Sequence, residues 1–313
     1  MKIISLKMLS TCPQETQTAK PFLKWAGGKT QLIREIDPLL EQIFSQYQSV
    51  TYIEPFVGGG AILFYVLNKF PLVERVIIND INPDLINAYN VIKKSPDELI
   101  EKLQKLQTQY YRLKSPESQK NFYLKLRQKF NLNKSRTPLE KTILLLFLNK
   151  TCFNGLYRVN SRGLFNVPFG QYIKPKICDE SNLMAVHKCL QKAEILRGDF
   201  EETLSLAEQP SLFYLDPPYK PIKTTSAFTA YTKENFTDSD QERLKLFCDK
   251  INQKGCHFIL SNSDVKNLDN SNNFFDQLYQ DYHIRRVLAK RNINSLGNRR
   301  GEISELLISN LVI

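Results

Sequence analysis

The order of elements between Thr51 and Asp80 restricts the fold more than any other feature of the chain. The run from Thr51 to Phe56 has the length and apolar content of a buried strand. Val57 to Gly60 is a glycine-rich turn, Ala61 to Phe70 has the pattern of a helix, and Arg75 to Asp80 is a second strand. Strand, Gly turn, helix and strand in that order open a doubly wound α/β sheet, whose ligands bind at the carboxyl ends of parallel strands. α/β character returns late. Glu194 to Arg197, Ser211 to Leu215 and His257 to Ser261 read as strands, and Ser239 to Gln253 as a helix ended by Gly255. Glu302 to Ile313 supplies a closing strand pair or one long strand.

The block from Asn82 to about Glu194 is different. Asn82-Pro83 and two capping boxes, Ser95 to Glu98 and Thr137 to Glu140, start successive helices. Inside it, Asn154 to Gly170 is rich in Asn, Gly, Arg and aromatics and alternates Leu156, Arg158 and Asn160, the pattern of a loop or β-hairpin. The expected organisation is a polar tail over residues 1–20, an α/β unit from 21–81 and 195–313, and an inserted, mostly helical unit over 82–194.

Composition bounds the partners. Lys and Arg number 43 against 32 Asp and Glu, a net charge of +11 that favours a polyanion, nucleic acid first. The 6 cysteines form no Cys-x-x-Cys pair and read as reduced thiols. Cys178, His187 and Cys189 lack the spacing of a zinc site, so they are read as buried structural residues and no metal is expected. Apolar runs such as Ile143 to Leu148 are too short to span a membrane, and Met1 to Lys20 lacks a signal core. These features describe a soluble, unexported protein. Gly27-Gly28-Lys29-Thr30 imitates part of a P-loop, but Leu23 stands where that motif needs glycine, so triphosphate binding is rejected.

Chemistry concentrates at strand ends. Asp216-Pro217-Pro218-Tyr219 follows the strand Ser211 to Leu215. Two prolines remove two backbone donors and leave a rigid turn with carbonyl acceptors beside a carboxylate. Such a turn suits an exocyclic amine: Asp216 and the Pro217 carbonyl accept one hydrogen each, and Tyr219 offers a face to a base. The Glu54 to Gly60 turn allows close backbone approach to a ligand, and Asp80 at the next strand end can accept from both ribose hydroxyls. Without G-x-G-x-x-G the turn fits a nucleoside lacking a pyrophosphate. Asp199 is either an acceptor for an adenine amine or a helix N-cap. Arg285, Arg286, Lys290, Arg291, Arg299 and Arg300 are read as phosphate contacts or as a solvated basic loop.

Taken together, the chain resembles the Dam-type and DpnII-type DNA adenine methyltransferases from Pro21 onward. The likeness is carried by Pro21 to Lys29, Glu54 to Gly60, Asn79 to Asn82, Phe153 to Arg158, Phe165 to Gly170, Gly198 to Phe200 and Asp216 to Tyr219, in the order of the family's alpha arrangement. The resemblance implies a Rossmann-like S-adenosylmethionine-dependent methyltransferase sheet with an inserted, mainly helical DNA-recognition domain bearing a β-hairpin. It implies catalysis by Asp216, Pro217, Pro218 and Tyr219. S-adenosyl-L-methionine would be lined by Trp25, Lys29, Phe56, Gly58, Asp80, Asp199 and Phe200. Double-stranded DNA, chiefly GATC, would meet Lys24, Asn154, Leu156, Arg158, Pro168 and Tyr172, with Phe153 as an aromatic wedge where a relative carries tyrosine. A cytoplasmic, nucleoid-associated setting and a companion restriction endonuclease for the same site accompany this reading. Amino methylation of cytosine, RNA or protein, and DNA binding without catalysis, are the alternatives.

Overall fold

The computed structural model of the chain describes residues 17–25, 27, 29–132, 137–219, 236–290 and 302–311. Along the chain run α1 (Ile33–Phe44), β1 (Val50–Glu54), α2 (Ala61–Lys69), β2 (Val73–Asn79), α3 (Pro83–Lys94), α4 (Pro96–Tyr111), α5 (Pro116–Asn131), α6 (Pro138–Thr151) and α7 (Glu180–Leu190). They are followed by β3 (Ala193–Leu196), β4 (Ser211–Leu215), α8 (Asp238–Gln253), β5 (His257–Ser263), α9 (Phe274–Leu278), β6 (His283–Lys290) and β7 (Glu302–Ser309). The strands form one 7-stranded sheet in the order β3-β2-β1-β4-β5-β7-β6. β1 to β5 pair in parallel, and β7 runs antiparallel between β5 and β6. This is the expected α/β sheet.

Both faces of the sheet are covered, as parallel strands require. Val50, Tyr52, Val76, Ile78, Leu212, Tyr214 and Ile259 face an apolar core shared with α1 through α7. Their neighbours of opposite parity, Ile53, Ile77, Phe213, Leu215, Phe258 and Leu260, face a second core with α8 and α9. The helices between β2 and β3 thus pack into the same core as one face of the sheet.

Side-chain caps start α3, α5, α6 and α8. Asn82 accepts from the Asp84 and Leu85 N–H groups to start α3, and Thr137 and Glu140 form the expected box before α6. The box expected at Ser95 does not form. Ser95 also ends α3, its N–H donates to Val91, and its backbone (φ −142°, ψ 53°) leaves the extended conformation that aims a cap. Instead, Ser115 and Ser118 build a box before α5.

The closing segment takes the single-strand alternative, with a partner strand that was not foreseen. Glu302–Ser309 is one strand, and it pairs with β6, a strand that the basic run at Arg285 and Arg286 conceals. The described part of that run is engaged within the protein. Arg285 pairs with Glu35 of α1 at 2.5 Å, and Arg286 donates to Asp264 at 2.9 Å and to Asp276 at 2.8 Å. Both arginines read as phosphate contacts therefore hold the edge of the sheet. Arg291, Arg299 and Arg300 lie outside the described residues.

Asp264 is 1% exposed and also accepts from the Ser304 hydroxyl at 2.7 Å, so removing its cation leaves a buried carboxylate short of a partner. Arg286→Ala is expected to lower the unfolding free energy by about 2 kcal/mol, discounted because the arginine itself is partly exposed. A urea midpoint that does not move, at unchanged slope, would return Arg286 to the role of a surface charge.

Candidate active site at the strand ends

Asp216 follows β4 directly, and the β4–β5 register sets Leu215 opposite Leu260. Ser261 therefore comes alongside, and its hydroxyl donates to Asp216 Oδ1 at 3.0 Å. The Lys29 ammonium reaches the same oxygen at 2.8 Å. Lys29 sits in a short 3-10 turn (Lys29–Gln31) before α1, also donates to the Gly27 carbonyl at 2.9 Å, and is buried. Its nitrogen lies 4.1 Å from the centre of the Tyr219 ring, within cation–π range. The Tyr219 hydroxyl donates to Glu305 of β7 at 2.6 Å, fixing the ring from its far end. Burial raises the Asp216 carboxyl above the ordinary range, while Lys29 and Ser261 pull it back down. Burial, with Asp216 and Glu305 nearby, pushes the Tyr219 phenol well above its ordinary value, so it stays neutral.

Glu54 ends β1, the strand beside β4, and is 2% exposed. It accepts from the Tyr52 hydroxyl at 2.9 Å. Burial, together with Asp216 and Asp80 close by, pushes its carboxyl well above the usual range. Burial therefore favours the neutral form of Glu54.

Asp80 follows β2. Its Oδ2 accepts from the Gly58 N–H at 3.1 Å and its Oδ1 from the Asn82 N–H at 2.9 Å, which ties the Gly turn to the start of α3. Burial pushes its carboxyl up to about 6. Asn79, also buried, donates to the Pro55 and Gly198 carbonyls at 3.1 and 3.0 Å and so joins the loops after β1 and β3. Glycine is required in the turn for two reasons. Gly60 has φ +74°, and a Cβ there would come within 2.6 Å of the Tyr89 hydroxyl; at Gly59 it would come within 3.0 Å of Trp25. Phe56 and Phe200 lie 5.3 Å apart, with Phe236 at 6.1 and 6.3 Å from them, as an apolar aromatic wall.

Asp199 takes the N-cap alternative. It caps the 3-10 turn Phe200–Leu206, accepting from the Glu201 N–H at 3.0 Å, and pairs with Arg243 of α8 at 3.0 Å. Arg243 also meets Glu201 at 3.1 Å and lies over the Phe200 ring at 5.1 Å.

On the other side of Trp25, residues 152–170 form a short hairpin. Cys152 bridges Phe169, Val159 bridges Phe165, and the Asn160 N–H donates to Leu164 at 2.9 Å across the tip. Phe153 is 52% exposed at its base, next to Asn154 in a left-handed conformation (φ 55°). Pro168 is exposed, and its carbonyl accepts from the Phe153 N–H at 2.8 Å. Leu156 is partly buried against the core. Arg158 is braced by Asn166 across the hairpin, Nε to Oδ1 at 2.8 Å, which spends part of its donor set. Lys24 lies over the Tyr172 ring at 5.7 Å, and buried Asn149 of α6 bonds both the Lys24 backbone and the Gly155 carbonyl at 2.8–2.9 Å.

The residues flagged in the sequence thus fall into three neighbouring groups: Lys29, Asp216 and Tyr219; Trp25, Phe56, Gly58, Asp80 and Phe200; and the hairpin with Lys24 and Tyr172. Glu54, Ser261, Glu305 and Arg243 were not singled out by sequence. An acid inside the apolar strand Glu302–Ser309 was the available signal for Glu305. Among the described residues no cluster of His, Cys, Asp or Glu could hold a metal ion, and no helix is long and apolar enough to cross a membrane.

A profile of the D12 class N6 adenine-specific DNA methyltransferases matches residues 25–293. The chain belongs to that family. The methyltransferase is 49% identical to the type II methyltransferase M.MjaIII of Methanocaldococcus jannaschii, over 93% of this chain and 99% of that protein. It is 36% identical to the type II methyltransferase M1.LlaDCHI of Lactococcus lactis subsp. cremoris, covering 93% and 95% of the two chains. Identity to the DNA adenine methylase of Escherichia coli K12 is 33%, covering 92% and 94%. The enzyme is an adenine-specific DNA methyltransferase, and its family implies a methyl donor of the S-adenosylmethionine type.

Asp80 gives the methyltransferase a measurable pH signature. Its carboxyl is raised in the folded chain from 3.8 to about 6, so the folded state holds that proton more tightly than the unfolded one. The stability it contributes is complete at low pH and is lost as pH rises through this window, by on the order of 3 kcal/mol. Asp80→Asn cannot ionise, so its stability relative to wild type should climb between pH 4 and 6.5 and then level, as read by urea unfolding. A constant difference across the range would mean that Asp80 titrates as an ordinary carboxylate.

Proposed function

We propose that the methyltransferase binds S-adenosyl-L-methionine between the Gly turn and the aromatic wall, and methylates adenine N6 within GATC of double-stranded DNA after flipping the base out of the helix. The observation that carries this reading is the position of Lys29. Its ammonium makes a charged hydrogen bond to Asp216 while standing over the Tyr219 ring, so the site accepts an N–H donor above an aromatic face. A flipped adenine offers the same combination, an exocyclic amine and a ring to stack. Lys29, on a flexible stem, yields the Asp216 carboxylate to that amine and, with the base absent, keeps the carboxylate charged and partnered.

The residues present suit the donor. Asp80 at a strand end is an acceptor for ribose hydroxyls, the Gly turn offers backbone without Cβ atoms, and Phe56 and Phe200 give a flat wall for an adenine ring, with Asp199 at its edge. Trp25 and Lys29 flank the same space. When bound, the donor would supply a sulfonium methyl; the adenine amine takes it by direct in-line displacement with no covalent enzyme intermediate, the S–CH3 bond breaking to leave a neutral thioether and the methylated nitrogen losing one proton to solvent. Asp216 and the Pro217 carbonyl accept the two amine hydrogens and turn the nitrogen lone pair outward, the rigid Pro217-Pro218 turn sets their spacing, and Glu305 holds Tyr219 beneath the base. Phe153, exposed at the hairpin base, fills the gap left in the stack, where flipping costs a few kcal/mol. Lys24, Asn154, Leu156, Arg158, Pro168 and Tyr172 contact the site around it. Likeness to type II methyltransferases supports protection of DNA beside a companion restriction endonuclease as the biological setting.

Asp216→Ala is expected to abolish transfer while leaving S-adenosylmethionine affinity within about threefold, because the carboxylate serves the target amine. Near-normal turnover would remove it from the mechanism. Arg158, steadied by Asn166, is assigned to guanine, whose major-groove acceptors match its fork. Arg158→Ala should methylate GATC more slowly yet lose about 1–3 kcal/mol of discrimination against sites altered at the guanine or its paired cytosine. Transfer to duplexes carrying each single-base change decides this, since a uniform fall across the panel would make Arg158 a phosphate contact.

A further inference from the structure

We propose that Tyr157 is a positioning residue that couples the cofactor turn to the DNA-reading hairpin, so that each ligand strengthens the binding of the other. The proposal rests on the assignment of those two sites given above and adds a connection between them. Tyr157 lies between Leu156 and Arg158, and it is 5% exposed while its two neighbours are only partly buried.

Its ring is held on several sides by elements that belong to different sites. Trp25 stacks on it at 5.0 Å with the planes 24° apart. The same residue covers the Gly turn, where a Cβ on Gly58 would come within 3.1 Å of the indole ring and one on Gly59 within 3.0 Å of the Trp25 Cβ. The Tyr157 hydroxyl donates to Asp84 Oδ2 at 2.9 Å. Asp84 stands in the first turn of α3, two residues beyond Asn82, whose N–H is held by Asp80. Lys141 of α6 pins the other oxygen of Asp84 at 2.5 Å. Phe165, on the returning arm of the hairpin, meets the ring edge-on at 5.8 Å. One side chain therefore touches the cover of the Gly turn, the segment that follows the ribose acid, and both arms of the hairpin.

A ligand that fills the space against Trp25 and Asp80 removes freedom from two walls of the Tyr157 pocket. Close-packed interiors pass such a restriction on rather than absorbing it. The hairpin then meets DNA already ordered, so DNA binding costs less entropy, and by linkage DNA tightens the cofactor by the same factor. A tyrosine that served only as filling would behave differently: its loss would weaken the two ligands independently and leave that factor alone.

The test titrates the full chain with S-adenosylhomocysteine, which cannot be turned over, alone and with a saturating GATC duplex, by calorimetry. In wild type the duplex should tighten the cofactor product about tenfold. In Tyr157→Leu the factor should fall to within about twofold of unity while affinity without DNA stays within about threefold, and Tyr157→Phe, which keeps the stack but loses the hydroxyl that reaches Asp84, should give a factor between the two. A wild-type factor of one, or an unchanged factor in Tyr157→Leu, overturns the coupling. Should Tyr157→Leu fail to fold, Asp84→Asn loosens the same ring at constant volume and must lower the factor at least about threefold; an unchanged factor there overturns it as well. Wild type that binds no S-adenosylhomocysteine at all would instead refute the cofactor site, and the coupling with it.

Discussion

Three carboxylates, Glu54, Asp80 and Asp216, end neighbouring strands of one parallel sheet, and burial pushes all three toward the neutral form. Like charges collected at a dry edge cannot all persist, and the structure divides the problem among them. Glu54, whose neutral form burial favours, takes a hydrogen bond from Tyr52. Asp80 is served by backbone N–H groups of the two segments it joins. Asp216 keeps a cation. That cation comes from Lys29, far from β4 in sequence, so the segment before α1 must fold back over the strand ends for the sheet edge to be tolerable at all.

The same segment also organises the hairpin. Lys24 and Trp25 lie next to each other in the chain, yet one reaches Tyr172 and the other the Gly turn. Asn149 fastens the Lys24 backbone to Gly155, at the base of the hairpin. Because α3 through α7 share an apolar core with one face of the sheet, the hairpin stands on a rigid base.

Much of this was legible in local pattern. Apolar runs bounded by glycine, proline and acid located β1 to β5 within a residue or two, since a strand buried on both faces has little choice of composition. What stayed hidden depends on partners distant in the chain. β6 reads as a basic surface because Arg285 and Arg286 break its alternation, and only Glu35, Asp264 and Asp276 show those charges to be satisfied internally. Asp199 had two readings from sequence, and the Glu201 N–H and Arg243, both on its Oδ1, show the cap. Ser95 carries a capping signature, but one residue cannot end α3 and begin α4 with the geometry each prefers.

The antiparallel β7 carries Glu305 into the sheet between β5 and β6, although it is the last of the described strands in chain order. Synthesis on the ribosome therefore delivers the Gly turn and Asp80 early, and the strand that steadies Tyr219 at the end. A nascent chain holds its Asp-Pro-Pro-Tyr turn without the support that orients the aromatic face. The Tyr219 hydroxyl therefore meets its Glu305 partner only once β7 has entered the sheet between β5 and β6.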